Sequence, residues 1–282
     1  MDDERGVAMQ LDVVSTVNDP GVPGKTGDDR AGFDAAAGTA WVLDGATDVT
    51  DLRPFPACES GAAWIAEALS DRLMQGPEAG DAPEAYFASV LADVRQQAEA
   101  ETRIPLDKLP GEALPIASGI WMWLQGAEAV FVFMGDCMAL IRSAAGVRLI
   151  GQAEKAEDET ATARRMLALT PEERMGWLRQ ARRMSNEIGT AFGLGPDVVS
   201  NLRTARLAMR PGDEVCLMSD GLYRLISPYA THTLESLMAD LSDKGLPALI
   251  RRLRDFEESP DGDIPRIKRR DDASAVYLKI EA

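Results

Sequence analysis

Short acidic clusters set beside apolar runs constrain this chain more than any other feature. They read Gly27-Asp28-Asp29-Arg30, Leu43-Asp44-Gly45-Ala46, Met134-Gly135-Asp136-Cys137, Met218-Ser219-Asp220-Gly221 and Arg270-Asp271-Asp272-Ala273. Four of them adjoin runs with the character of buried strands: Thr39 to Leu43, Ala129 to Met134, Glu214 to Met218 and Ala273 to Ile280. A carboxylate at the end of a buried strand is costly to desolvate unless a partner compensates it. A divalent cation is the simplest shared partner for several such carboxylates.

With 282 residues, 45% of them hydrophobic, the chain can bury a substantial core as one large domain or two small ones. A net charge of −16 argues against a nucleic-acid partner, which needs a basic face. A solvated acidic surface explains most of that charge, and a cation site part of it. Cys58, Cys137 and Cys216 show neither metal-ligand spacing nor a disulfide framework, which fits a reducing compartment. The acidic start Met1-Asp2-Asp3-Glu4-Arg5 is no signal peptide, and no run approaches the length of a membrane span. A cytoplasmic protein with no membrane partner is expected. His232 is the single histidine, so chemistry at a site here rests on carboxylates, whose oxygens favour Mg²⁺ or Mn²⁺.

Strands are predicted over Met9 to Val17 and Phe33 to Leu43. Two amphipathic helices follow, Ser60 to Gln75 and Pro83 to Glu101, then an irregular stretch from Arg103 to Leu114. Strands return at Ser118 to Leu124, Ala129 to Met134, Met138 to Arg142 and Val147 to Ile150. After a polar segment, Gln152 to Thr160, a helix starts at a Thr170/Glu173 capping box, with Met175, Leu178 and Met184 facing inward. Strands at Leu202 to Met209 and Glu214 to Met218, two helices built on Leu234 to Leu241 and Leu249 to Phe256, and a last strand from Ser274 to Ile280 complete the pattern. Strand blocks separated by helix pairs point to α+β with mostly antiparallel sheets, a layered sandwich. One domain is the simplest division, with residues 152–201 as a flap or insert. Trp41, Trp121 and Trp123 read as core, and His232 as a cap or surface residue.

Taken singly, the clusters decide little. Asp44-Gly45 and Asp220-Gly221 each follow a strand and deliver a carboxylate to a sheet edge, but an ordinary turn reads the same way. Asp136 fits a turn, Asp28-Asp29 a surface loop, and Asp272 a local backbone cap. The basic islands Arg164-Arg165, Arg182-Arg183 and Lys268-Arg269-Arg270 read as solvated faces or as attractors for a phosphopeptide.

The order of the clusters carries more. The chain resembles the bacterial type-2C family of metal-dependent serine/threonine protein phosphatases. That pattern is an acidic pair (Asp28-Asp29), a strand ending in Asp-Gly (Asp44-Gly45) and a Gly-Asp-Ser element (Gly135-Asp136-Cys137). A strand ending in Ser-Asp-Gly (Ser219-Asp220-Gly221) and an Asp-Asn pair before the last strand (Asp271-Asp272) complete it. The resemblance spans about Val14 to Ile280 and is closest over Leu207 to Ile226.

The resemblance implies a four-layer α-β-β-α sandwich of two mainly antiparallel sheets flanked by helix pairs. It implies a centre of two Mn²⁺ or Mg²⁺ ions, with room for a third. In it Asp44 bridges both ions, the Gly45 carbonyl, Asp220 and Asp271 complete the ligand set, and Asp29 acts through water. Asp28 and Asp272 would support the ligands, Asp136 and Asp220 would share a weaker third ion, and Lys25 is the nearest counterpart of the family's phosphate-holding base. Asp44, Asp220 and Asp271 would carry catalysis. A phosphorylated protein is the implied substrate, with a cognate kinase as partner. Departures are Ala46-Thr47-Asp48 after Asp44-Gly45, the lack of a histidine there, and Cys137 for serine. Two further functions stay open: a phosphatase-like regulatory binding module with a degraded site, and a phosphatase of a small metabolite.

Overall fold

Side chains alternate across each strand with a period of two, and this alternation builds the molecule in layers. The computed structural model describes residues 9–78, 80–151, 159–195, 197–259 and 264–282. One antiparallel sheet runs β1 (Gln10–Asp19), β11 (Ala273–Glu281), β10 (Glu214–Met218), β6 (Met138–Ser143), β7 (Gly146–Ile150). The other runs β2 (Asp29–Asp34), β3 (Thr39–Gly45), β4 (Ile116–Gln125), β5 (Glu128–Met134), β9 (Arg203–Ala208), with the short β8 (Phe192–Gly193) beside β4. The helices are α1 (Gly61–Leu73), α2 (Pro83–Glu101), α3 (Glu159–Leu167), α4 (Pro171–Ile188), α5 (Asp220–Tyr223), α6 (Leu234–Lys244) and α7 (Leu246–Glu258).

Ala40, Val42, Ile120 and Met122 meet Leu217, Val276 and Leu278 between the sheets. Their neighbours Trp41, Leu43 and Trp121 turn the other way and pack with Leu69 and Phe87 of α1 and α2. On the far side Cys216, Met218 and Tyr277 pack with Leu237, Leu241 and Leu253 of α6 and α7. Each fully buried side chain of this size contributes roughly 1.5–3 kcal/mol. The result is two antiparallel sheets between two helix layers, as the sequence pattern predicts. Among the described residues, no helix is long and apolar enough to cross a membrane.

Several sequence expectations are corrected. The strand expected over Phe33 to Leu43 is a hairpin of β2 and β3. Asp34 turns the chain, its Oδ1 accepting from the Ala36 and Ala37 amides at 3.0 and 3.1 Å. The alanine run hid that turn. On α4, Met175 and Met184 are exposed, while Arg182 and Asn186 are buried. Loop carbonyls beneath the helix need donors. Asn186 Nδ2 donates to the carbonyls of Gly111 and Leu114, and Arg182 Nη2 to those of Ala46 and Thr47. His232 is no cap, since Thr233 caps α6. Its side chain is buried between Thr231 and Asp240. Residues 152–158 of the expected flap lie outside the described residues.

Candidate metal centre

The sheets end together at one edge. Asp29 and Asp44 are register partners across β2 and β3, and Asp44 is the partner of Ser118 on β4. Asp136 sits in the reversal from β5 to β6, Asp220 opens α5 after β10, and Asp271-Asp272 lead into β11. A cavity of about 180 Å³ is lined by Asp28, Asp29, Asp44, Gly45, Asp136, Asp220, Asp271 and Asp272, with Thr47, Ser118 and Lys268. These are the residues named from sequence, with one exception. Lys25 lies on the surface, 4.0 Å from Glu59, and does not line the cavity.

Two glycines let the edge close. A Cβ on Gly45 would sit 2.5 Å from the Ala62 carbonyl oxygen and 2.7 Å from that of Asp28. A Cβ on Gly221 would sit 1.9 Å from the Asp272 carbonyl oxygen. Both Asp-Gly pairs therefore need glycine for packing of the strand ends against neighbouring backbone.

The surrounding polar groups fix the acidic loops. Asp272 accepts from the backbone amides of Gly21 and Asp28, which ties the acidic pair to the last strand. Ser60 caps α1 by accepting from the Ala63 amide and donates to Asp28 Oδ1 at 2.6 Å. Asp48, of the atypical Ala46-Thr47-Asp48, accepts from the Gly61 amide at 2.9 Å, a favourable place for a carboxylate at a helix start. Arg182 holds the same loop from above.

Electrostatics separate two sides of the cavity. Asp29 is 3% exposed, and its Oδ2 has no hydrogen-bond partner. Burial, then the charge of Asp272, pushes its carboxyl well above its ordinary value, against a hydrogen bond from Ser219. Burial, then the charge of Asp29, pushes Asp44 up in the same way. Asp28 is raised by burial, partly offset by Ser60. On the other side, Asp271 is neutralised by the protein itself. Arg224 Nη2 lies 2.9 Å from its Oδ2 and Lys268 Nζ 3.0 Å from its Oδ1. Sequence reasoning missed Arg224, and it named Lys268 as part of a basic island without pairing it to Asp271. Lys268 belongs to a basic run that reads as solvated, and only the fold turns it into the cavity.

Among the described residues, no three His, Cys, Asp or Glu side chains are gathered tightly enough to grip an ion as they stand. The donor set nevertheless fits a hard divalent cation on the Asp29 side. It is all oxygen, it includes an orphaned buried carboxylate oxygen, and its charges are unbalanced.

Residues 23–256 match the Protein phosphatase 2C family. The chain belongs to that family. Among curated proteins, no sequence matches it. Among solved structures, this phosphatase 2C chain is similar to the serine/threonine phosphatase PstP/Ppp of Mycobacterium tuberculosis. The TM-score is 0.60 and the identity 16%, over 98% of this chain and 100% of that one. It is similar to the PstP catalytic domain in complex with two manganese ions, with TM-score 0.55 and 17% identity over 97% and 100% of the two chains. It is similar too to PppA, a regulatory component of the T6SS in Pseudomonas aeruginosa, with TM-score 0.56 and 15% identity over 97% and 98%. At such identities the likeness shows the fold. Membership of the phosphatase 2C family supports a metal-dependent protein phosphatase as the class of activity.

Proposed function

We propose that this chain hydrolyses phosphoserine or phosphothreonine on proteins with the help of Mn²⁺ or Mg²⁺ held in the acidic cavity. The observation that carries the reading is the Asp29–Asp44 pair, Asp29 buried and Asp44 half-buried, lining one cavity with an Asp29 carboxylate oxygen unpartnered. Asp44, the Gly45 carbonyl and Asp29 would hold the cation, with Asp28 fixed beside them by Ser60. A divalent cation supplies Lewis acidity: it lowers the pKa of water and offsets charge on phosphoryl oxygens. Asp136 and Asp220 line the same wall and would keep attacking water oriented. Lys268 places a positive charge in the cavity lining, where a phosphoryl dianion needs one. No residue of the described part of 159–201 lines the cavity, which favours a protein substrate over an enclosed metabolite.

Neither a thiol nor an imidazole takes part. Cys137 is fully buried, and burial followed by the charges of Asp44 and Asp136 pushes its thiol well up. His232 sits in a separate hollow with Asp240.

Phosphate release from a phosphothreonine peptide tests the reading. Turnover should require Mn²⁺ or Mg²⁺, stop with chelator and return on re-addition. Turnover indifferent to chelator contradicts it. The saturation of Asp271 by Arg224 and Lys268 favours a second reading, a phosphatase-like binding module. Folded, metal-bound protein that turns over no phosphopeptide would establish that one.

A further inference from the structure

Asp271 and Asp29 line one cavity yet meet opposite conditions. Both carboxylate oxygens of Asp271 are taken. Oδ2 accepts from Arg224, and Oδ1 accepts from Lys268 at 3.0 Å and from the Asp272 amide at 3.2 Å. Its main-chain carbonyl is also occupied, by Arg254 Nη2 at 2.8 Å. Asp29 Oδ2 has no partner at all.

The cations on Asp271 are built in. The Arg224 side chain is 4% exposed and rises from the residue that caps α5, four positions after Asp220. Breaking a buried ion pair leaves an uncompensated charge behind, so Arg224 does not readily release Asp271. Lys268 is tethered at a second point, donating to Thr47 Oγ1 at 2.8 Å, three residues beyond Asp44. A divalent ion brought to Asp271 would have to sit beside both of these cations, or displace one and sit beside the other, and like charges at such range repel strongly in a partly buried site.

We infer that Arg224 and Lys268 take the place of one cation of the centre, so that this chain loads a single divalent ion on the Asp29–Asp44 side and Asp271 serves as anchor for the two basic groups. The inference rests on the metal-dependent reading above, and it departs from the two ions that the family resemblance implies.

The test is a calorimetric Mn²⁺ titration of the metal-stripped full chain, with thermal melts to verify folding of each variant. The wild type should take one equivalent. Asp271→Asn should keep one equivalent with its affinity changed by no more than about threefold, while Asp44→Asn should lose at least about tenfold, a gap the titration resolves. Two equivalents in the wild type, or Asp271→Asn weakened as much as Asp44→Asn, would overturn the inference and leave the metal-dependent reading standing. No binding by the wild type would overturn both. If Asp271→Asn fails to fold because Arg224 loses its partner, the wild-type stoichiometry decides alone.

Discussion

Asp29 and Asp44 stand directly opposite one another across β2 and β3, a buried and a half-buried carboxylate in a single antiparallel register pair. Like charges placed directly opposite destabilise a strand pair. The fold keeps them because the strand ends they occupy form the cavity.

The pair should make the metal-free protein sensitive to pH. Each carboxyl titrates near 3.8 when unfolded and well above that when folded, from burial first and neighbouring charge second. Between those values the folded state binds more protons than the unfolded one, so stability falls as pH rises through the window. Asp44→Asn removes its share of that fall. Without metal, its melting temperature should match the wild type at pH below the ordinary carboxylate value of 3.8 and exceed it increasingly as pH rises above that value. A difference that does not change with pH would show that the two carboxylates are not strained.

Metal should reverse the strain. Mn²⁺ at about a hundred times its Kd should add about 2.7 kcal/mol by mass action. In a domain of this size that raises the Tm by about 4–5 °C. Asp29→Asn should lose most of the rise. Identical melting curves in Mn²⁺ and in EDTA would contradict cation binding here.

Arg182 is 6% exposed and donates to two carbonyls just after Gly45. Arg182→Met leaves those carbonyls without their donor and should cost about 1–3 kcal/mol in denaturant unfolding. Ser60→Ala removes both the α1 cap and the bond to Asp28, and should cost about 1 kcal/mol. Unchanged midpoints would show that α4 and Ser60 do not hold the acidic loops.

Activity variants separate the residues that hold the cation from those nearby. Asp44→Ala should abolish Mn²⁺-dependent phosphate release, and Asp136→Ala should have an intermediate effect. Cys137→Ser and His232→Ala should retain most of it. Activity that survives Asp44→Ala and disappears with Cys137→Ser would indicate a thiolate mechanism instead.

Much of this architecture was legible in the sequence because apolar alternation and strand-end aspartates are local signals. β3, β5, β10 and β11 follow their apolar runs, and α2 follows its bounds. Arg224 was not legible, and neither were the partners of Lys268 and Arg182, which the sequence shows only as basic islands. A basic residue in sequence reads as solvated, and only tertiary placement shows that it faces a carboxylate or a row of carbonyls. The hairpin at Asp34 was missed because Ala35-Ala36-Ala37 continues the apolar run between the two turn residues, Asp34 and the positive-φ Gly38, so that the whole stretch reads as one strand. Lys25 was placed by likeness of position alone, and the β2 approach leaves it outside the cavity.

Anomalous scattering at the manganese edge, from crystals grown with Mn²⁺, tests most directly whether the acidic cavity holds the cation that the reaction needs. The account predicts a peak bound by Asp44 and the Gly45 carbonyl, absent in Asp44→Asn crystals. A wild-type map with no manganese peak in that cavity, from protein that hydrolyses a phosphothreonine peptide, would contradict it.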